Sequence, residues 1–237
     1  MSAVGWALDW VQNHNIQEGY HFPVFGNSYG MLAMLKSQIP DYSSFKEIDS
    51  EQVHAALEQN LLQHPHETFI FDEVEGLHLE ALMDHVRFYN EASIGITVGD
   101  FDFIRELNMF VPVTSYHNEY TLDRDEEFVS AIEGTVQPFF GFMNRIDKIQ
   151  FGFHAADGEG QAKVDHSKPA ISYAQHVANL IVDEARLSPN FFEYTNDETA
   201  ALLSNFNSHS VRLPTPHLSA QDKELNDFYR TEVFFFA

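Results

Sequence analysis

The sequence predicts an α/β (or α+β) fold, a single-domain layered sandwich over 1–237 with a mostly parallel or mixed central sheet flanked by helices. Three observations predict it. Segments with apolar residues at helical spacing alternate with short apolar and aromatic runs, the order that builds a sheet covered by helices. With 237 residues and 44% hydrophobic composition, the chain can bury a large core. No Gly/Ser- or Pro-rich linker, low-complexity tract or internal repeat divides it.

The elements are expected in the following order. A helix near 3–13 ends at the Glu18-Gly19 turn, an extended piece runs from Tyr20 to Phe25 into Gly26–Gly30, and a helix covers Met31 to Gln38. Ser50 suits the N-cap of a helix over 51–63, whose Val53, Ala56, Leu57 and Leu61 keep helical spacing, and Pro65 closes it. Glu67 to Val74 reads as a buried strand, Leu77 to Asn90 as an amphipathic helix and Ser93 to Val98 as a second strand, together a βαβ unit. Beyond it lie a short helix at 101–107, a strand at 109–113, helical segments between 126 and 147, and a strand at 148–154. A long helix follows over 171–187. The end offers a helix near 197–206, a strand near 210–213, a helix over 220–229 and the apolar tail Val233–Ala237. Exposed, that tail would invite edge pairing, so it is expected as a final strand or an element docked on a partner subunit, which leaves a homo-oligomer open.

Charge narrows the function classes. The 36 acids against 13 Lys plus Arg give a net charge of -23, and between Glu47 and Val86 forty residues carry ten acids, five His and no Lys or Arg. Nucleic-acid backbones and anionic membranes are bound mainly by Lys and Arg, which here are scattered singly, so neither is an expected partner. An acidic surface favours cations and basic protein patches, and it also keeps a chain with 22 Phe soluble. The absence of Cys removes disulfides, thiolate nucleophiles and Cys-based metal sites. The N-terminal segment lacks a basic start and a long apolar stretch, and no run approaches about 18 apolar residues, so the expected location is cytoplasmic.

Gly26-Asn27-Ser28-Tyr29-Gly30 fits G-x-S-x-G between an extended piece and a helix. In that setting the glycines relieve crowding at a tight turn, the Ser hydroxyl projects from it, and the next backbone N–H can stabilise an oxyanion. Chain order permits a catalytic set of Ser28, Asp100 and His154. Against this, only about 25 residues precede Ser28, too few to build a sheet ahead of the turn, and such small-residue clusters are also ordinary turn chemistry.

Phe69-Ile-Phe-Asp-Glu73 has the form of a strand ending in acids that hold magnesium, but the glycine cluster upstream continues Met31-Leu32 where a phosphate loop needs Lys and Ser/Thr. Acids and His recur where expected strands end, at Asp72, Glu73, Asp100, Asp102, His154 and Asp157. If the strands are parallel these ends converge, and Asp72, Glu73 and Asp157 become candidate ligands of a divalent cation, Mg, Mn or Zn. His64-Pro65-His66 has clip spacing but lies about 20 Å of extended chain from Asp72. Asp165, His166 and His176 gather near the start of the long helix without a fixed direction.

Two functions follow. In the first, an acidic face docks a basic protein, as an inhibitor, immunity-type or adaptor protein would. In the second, the chain is a hydrolase of a small ester or phosphoester, using either Ser28 as nucleophile or the carboxylate/His metal site.

Overall fold

The computed structural model describes residues 3–39, 44–47, 56–62, 67–72, 87–89, 94–101, 109–118, 127–143, 167–189, 191, 193–201, 208–212 and 230–234. They fall in two compact units, Met1–Pro189 and Asn190–Ala237.

In the first unit α1 (Ala3–Glu18), β1 (Val24–Asn27) and α2 (Tyr29–Gln38) are followed by β2 (Phe45–Glu47) and β3 (Ala56–Leu61). Next come β4 (Arg87–Tyr89), β5 (Ile94–Ile96), β6 (Phe110–Asn118), β7 (Glu127–Gly134), β8 (Phe139–Phe142) and α3 (Lys168–Leu187). Six strands form one sheet in the order β1-β8-β7-β6-β3-β4. Among the described residues of this sheet only β1 and β8 pair in parallel, with Asn27 opposite Phe142, and the other junctions are antiparallel. The expected mixed α/β architecture is therefore present. β2 and β5 make a separate antiparallel pair that touches the large sheet through a bridge from Thr97 to Phe128.

β8 shows how the sheet parts two cores. Phe139 and Met143 join the layer formed with Leu8 and Val11 of α1 and Met31, Leu32, Met34 and Leu35 of α2. Phe140 and Phe142 join the opposite layer with Phe71, Val113 and, from α3, Ala170, Tyr173 and Val177. This is the period-two alternation of a strand covered on both faces. A side chain at Gly141 would strike Ile132 and Met31, so glycine there lets α2 lie close against the sheet.

α1 ends at Gly19, whose φ of 66 terminates the helix, and Asn15 closes the turn. Its side chain accepts from Phe22 N at 2.9 Å, donates to Phe22 O, and donates to Gln137 Oε1 at 2.9 Å in the β7–β8 connection. α3 is specified at both levels. Ala170, Tyr173, Ala174 and Val177 are its buried stripe, Ser167 Oγ accepts from Ala170 N at 3.3 Å, and Pro169 sits where a missing N–H costs nothing. In β6 the pairing with β7 shifts register around Pro112 and Thr114. Pro112 has no N–H for the ladder, which makes it the natural place for an irregularity.

Several expected elements are replaced. The helix over 51–63 is, in its described part, strand β3, because pairing with both β4 and β6 outweighs the helical spacing of Ala56, Leu57 and Leu61. The last residues of the expected helix 77–90 form β4, and the helical segments between 126 and 147 are β7 and β8 as far as 143. β7 is buried on both faces from Phe128 to Gly134, so its sequence lacks the apolar/polar alternation of a half-exposed strand, the case in which period cannot separate strand from helix. Glu67–Asp72 is a turn, not a strand, and β5 pairs antiparallel with β2, so no βαβ unit stands over 67–98 in the described residues. The strand at 148–154 and the helix at 220–229 lie outside the described residues, as does most of the helix at 101–107.

The second unit contains α4 (Thr195–Ala201), β9 (Ser208–Arg212) and β10 (Arg230–Phe234). β9 and β10 form an antiparallel ladder with Thr231 opposite Val211, so Val233 and Phe234, the described part of the apolar tail, lie in a strand.

Candidate functional site

Ser28 occupies the junction between β1 and α2. Its N–H donates to Phe142 O at 2.7 Å, extending the β1–β8 pairing by one step, and its own carbonyl accepts from Leu32 N as the first bond of α2. Between those anchors the backbone has to turn within a single residue. Ser28 takes φ 52 and ψ -113, and it is the one non-glycine residue with positive φ among the described residues. Such a conformation costs a side-chain-bearing residue about 1–3 kcal/mol.

The hydroxyl offsets none of that cost. A serine at this position ordinarily caps the helix by accepting from a first-turn N–H, a contribution of about 1 kcal/mol. Ser28 makes no such bond, is 5% exposed, and its Oγ has no hydrogen-bond partner among the described residues. The flanking glycines differ in role. A Cβ at Gly26 would lie 2.5 Å from Met34 Sδ and 2.8 Å from the backbone of Gly30 and Met31, whereas one at Gly30 meets nothing within 4 Å. Gly26 is thus what permits α2 to start so close to β1.

β1 and β8 run parallel, so Ser28 and Met143 share one end of the sheet, and the antiparallel β7 begins at that same end. There Val98 N donates to Glu127 O at 2.8 Å and Thr97 bridges Phe128, which brings the Thr97–Phe101 turn to the same edge. Two strand spacings, roughly 10 Å, separate β1 from β7 laterally. Asp100 is held within this turn. Its Oδ2 accepts from Thr97 Oγ1 at 2.6 Å and lies 3.8 Å from Lys46 Nζ, while its own N–H donates to Thr97 Oγ1 at 3.1 Å.

Asp72 is exposed at the end of the Glu67–Asp72 turn, not at a strand end. The convergence of carboxyl ends that would gather a metal site presupposes parallel strands, and β1 with β8 is the one parallel pair among the described residues. No cluster of three or more His, Asp or Glu side chains able to hold a metal ion occurs among the described residues. Glu73, His154, Asp157, His64, His66, Asp102, Asp165 and His166 lie outside the described residues.

Glu133 was not a sequence candidate. It is 2% exposed on β7, and its carboxylate Oε2 accepts from Ile70 N at 3.1 Å. Burial, opposed by the hydrogen bonds from the Ile70 and Phe69 amides, pushes its pKa up to about 7. The signal in the sequence is an acid directly after Phe128-Val-Ser-Ala-Ile132, a run without charge, with no Lys or Arg near it.

No protein-family model matches this chain. It is 28% identical to gamma-glutamyl hydrolase 2 of Arabidopsis thaliana over 194 residues, covering 79% of this chain and 50% of the relative. It is 24% identical to the gamma-glutamyl hydrolases of Mus musculus over 200 residues and Homo sapiens over 202, each covering 81% of this chain and 57% of the relative. The chain spans about half the length of these curated relatives. Among solved structures, a GMP synthase-type protein of Thermoplasma acidophilum superposes with a TM-score of 0.36 at 9% identity, covering 77% of this chain and 71% of that one. Among the described residues no helix is long and apolar enough to cross a membrane.

Proposed function

We propose that this chain is a hydrolase in which Ser28 is the nucleophile, acting on the acyl carbon of a small amide or ester. One observation carries the reading: Ser28 holds a strained conformation at a strand-to-helix junction and leaves its hydroxyl unpartnered among the described residues, forgoing the cap that would have stabilised α2. Similarity to proteins named gamma-glutamyl hydrolases supports hydrolysis and makes γ-glutamyl amides the first substrate class to try. Docking of a basic protein gains no support from those similarities.

In this reading Ser28 Oγ bonds to the carbonyl carbon and passes its proton to a base, for which His154 is the sequence candidate. The Tyr29 N–H, opening α2, faces the developing oxyanion. The C–N or C–O bond then breaks as the leaving group takes the proton, and water hydrolyses the acyl-Ser28 ester. Asp100, already bonded to Thr97, would act only through a base lying between.

The test is release of the aniline from a γ-glutamyl anilide by the purified chain, alongside labelling by a fluorophosphonate. Turnover lost at least 100-fold in Ser28→Ala, retained in Asp72→Asn and insensitive to EDTA supports the proposal. Turnover unchanged by Ser28→Ala overturns it.

A further inference from the structure

We propose that the Thr68–Asp72 turn is a pH-operated latch, in which Glu133 and His176 clasp the Ile70 peptide from two sides and ionisation of Glu133 opens the turn. The clasp is visible in the bonds. Ile70 N–H donates to Glu133 Oε2 at 3.1 Å, and the carbonyl of the same residue accepts from His176 Nε2 at 2.5 Å. The turn therefore bridges two elements far apart in sequence, β7 and α3, through a single residue and two titratable side chains.

Apolar packing seals the turn above the carboxylate. Ile70 and Phe71 are buried, the Phe71 ring stacks on the His176 imidazole with centroids 5.8 Å apart at 14°, and it tilts against Tyr173 at 6.2 Å. Thr68 Oγ1 accepts from Phe71 N at 3.3 Å and holds the turn's own curvature. Across the sheet Glu133 is paired with Val111 of β6 and Phe140 of β8, so no cation compensates it from either neighbour. Among the described residues, the ionisable groups on the surrounding elements are Glu67 and Asp72 on the turn, both exposed, Glu127 on β7, Tyr116 and His117 on β6, and Lys168, Tyr173, His176, Asp183, Glu184 and Arg186 on α3, of which Tyr173 and His176 touch Phe71. Burial drives the Tyr173 phenol well above its ordinary range, which keeps it neutral throughout. His176 donates from Nε2 whether that ring is neutral or charged.

The sign follows from where the proton is held. With the turn closed, Glu133 titrates near 7, and with it open the carboxyl returns toward 4.5. Opening is insensitive to pH below about 4.5, grows by up to about tenfold for each pH unit between the two values, and levels off above about 7, with a ceiling near 300-fold. The latch is thus tight in acid and loosened at neutral pH, where an ionised Glu133 must be hydrated.

Amide hydrogen exchange of Phe69, Ile70 and Phe71, corrected for the intrinsic rate, tests the latch on the intact chain. Opening that rises at least tenfold from pH 5 to pH 7.5 in the wild type and in His176→Gln, and is flat in Glu133→Gln, supports it. Opening flat in the wild type, or a rise that persists in Glu133→Gln, overturns it. Should Glu133→Gln fail to fold, NMR of the side-chain carboxyl carbons in the wild type replaces it. A Glu carboxyl titrating near neutrality in step with loss of Ile70 protection supports the latch, and no such carboxyl overturns it.

Discussion

The two glycines of Gly26-Asn27-Ser28-Tyr29-Gly30 are predicted to respond in opposite directions to the same added methyl group. In Gly26→Ala the Cβ would sit 2.8 Å from Gly30 C and Met31 N and 2.5 Å from Met34 Sδ. Met34 has a flexible side chain that can turn aside, but the other two contacts are backbone of the first turn of α2, which moves only if the helix lifts from β1. That lift disturbs Met31, Leu32 and Leu35, all at the centre of their layer, so the cost expected of overpacking applies, about 1–3 kcal/mol. Gly30 lies in α2 with open space where its Cβ would be and no positive φ, so Gly30→Ala gains the helical preference of alanine, about 0.5–1 kcal/mol. Urea denaturation followed by far-ultraviolet circular dichroism measures both. The expected gap between the variants is about 1.5–4 kcal/mol, with Gly26→Ala the less stable. Equal stabilities, or the reverse order, would refute the claim that α2 is seated on β1 by the absence of a side chain at Gly26.

Three further outcomes are expected. Ser28→Gly should stabilise the fold by about 1 kcal/mol in the same urea assay, because glycine accepts the φ of 52 without strain, while Ser28→Ala should not. Glu133 has its pKa raised on folding, so its contribution is fully present below about 4.5 and lost as pH rises through about 7. Glu133→Gln should therefore raise the melting point at pH 8, by the equivalent of up to about 3 kcal/mol, and much less at pH 4.5, which scanning calorimetry at the two pH values would decide. Ser167→Ala should cost about 1 kcal/mol in urea by removing the bond to Ala170 N that caps α3.

The parts of the fold that are legible in the sequence are those where one local rule suffices. α2 and α3 fall close to their expected spans because each carries apolar residues at helical spacing and, for α3, a Ser-Lys-Pro start that both caps and shapes the first turn. The segments at 56–61 and 127–142 defeat the same rules for a single reason. Their strands are central or covered on both faces, so their pairing partners lie far away in the chain and no solvent side imposes a pattern. β3 lies between β4 and β6, and β7 carries the Ser130 hydroxyl bonded to that of Thr114 across its buried border with β6 at 2.9 Å. Local periodicity has no information about such partners. The turn at Thr68–Asp72 fails similarly. Its apolar Thr-Phe-Ile-Phe reads as strand, but the partner that satisfies Ile70 N is a carboxylate 63 residues on.

The Ser28 motif poses the converse problem, since the pattern is plain in the sequence while the elements that surround it are not. Few residues precede Ser28, which argues against a sheet assembled ahead of the turn. The structure supplies that sheet from the other direction: β8, more than 100 residues later, pairs in parallel with β1 and provides the Phe142 carbonyl that holds Ser28 N–H. A strand-to-helix turn can therefore be strained by elements that follow it as well as by those that precede it. Turn chemistry alone does not account for the outcome, because an ordinary turn would let the Ser hydroxyl accept from the helix and so lower its own energy. Here the backbone is held where that bond is not made, at a combined disadvantage of about 2–4 kcal/mol from strain and the forgone cap. A backbone cost of that size at Ser28 is what the proposal of a nucleophile accounts for and an ordinary turn does not.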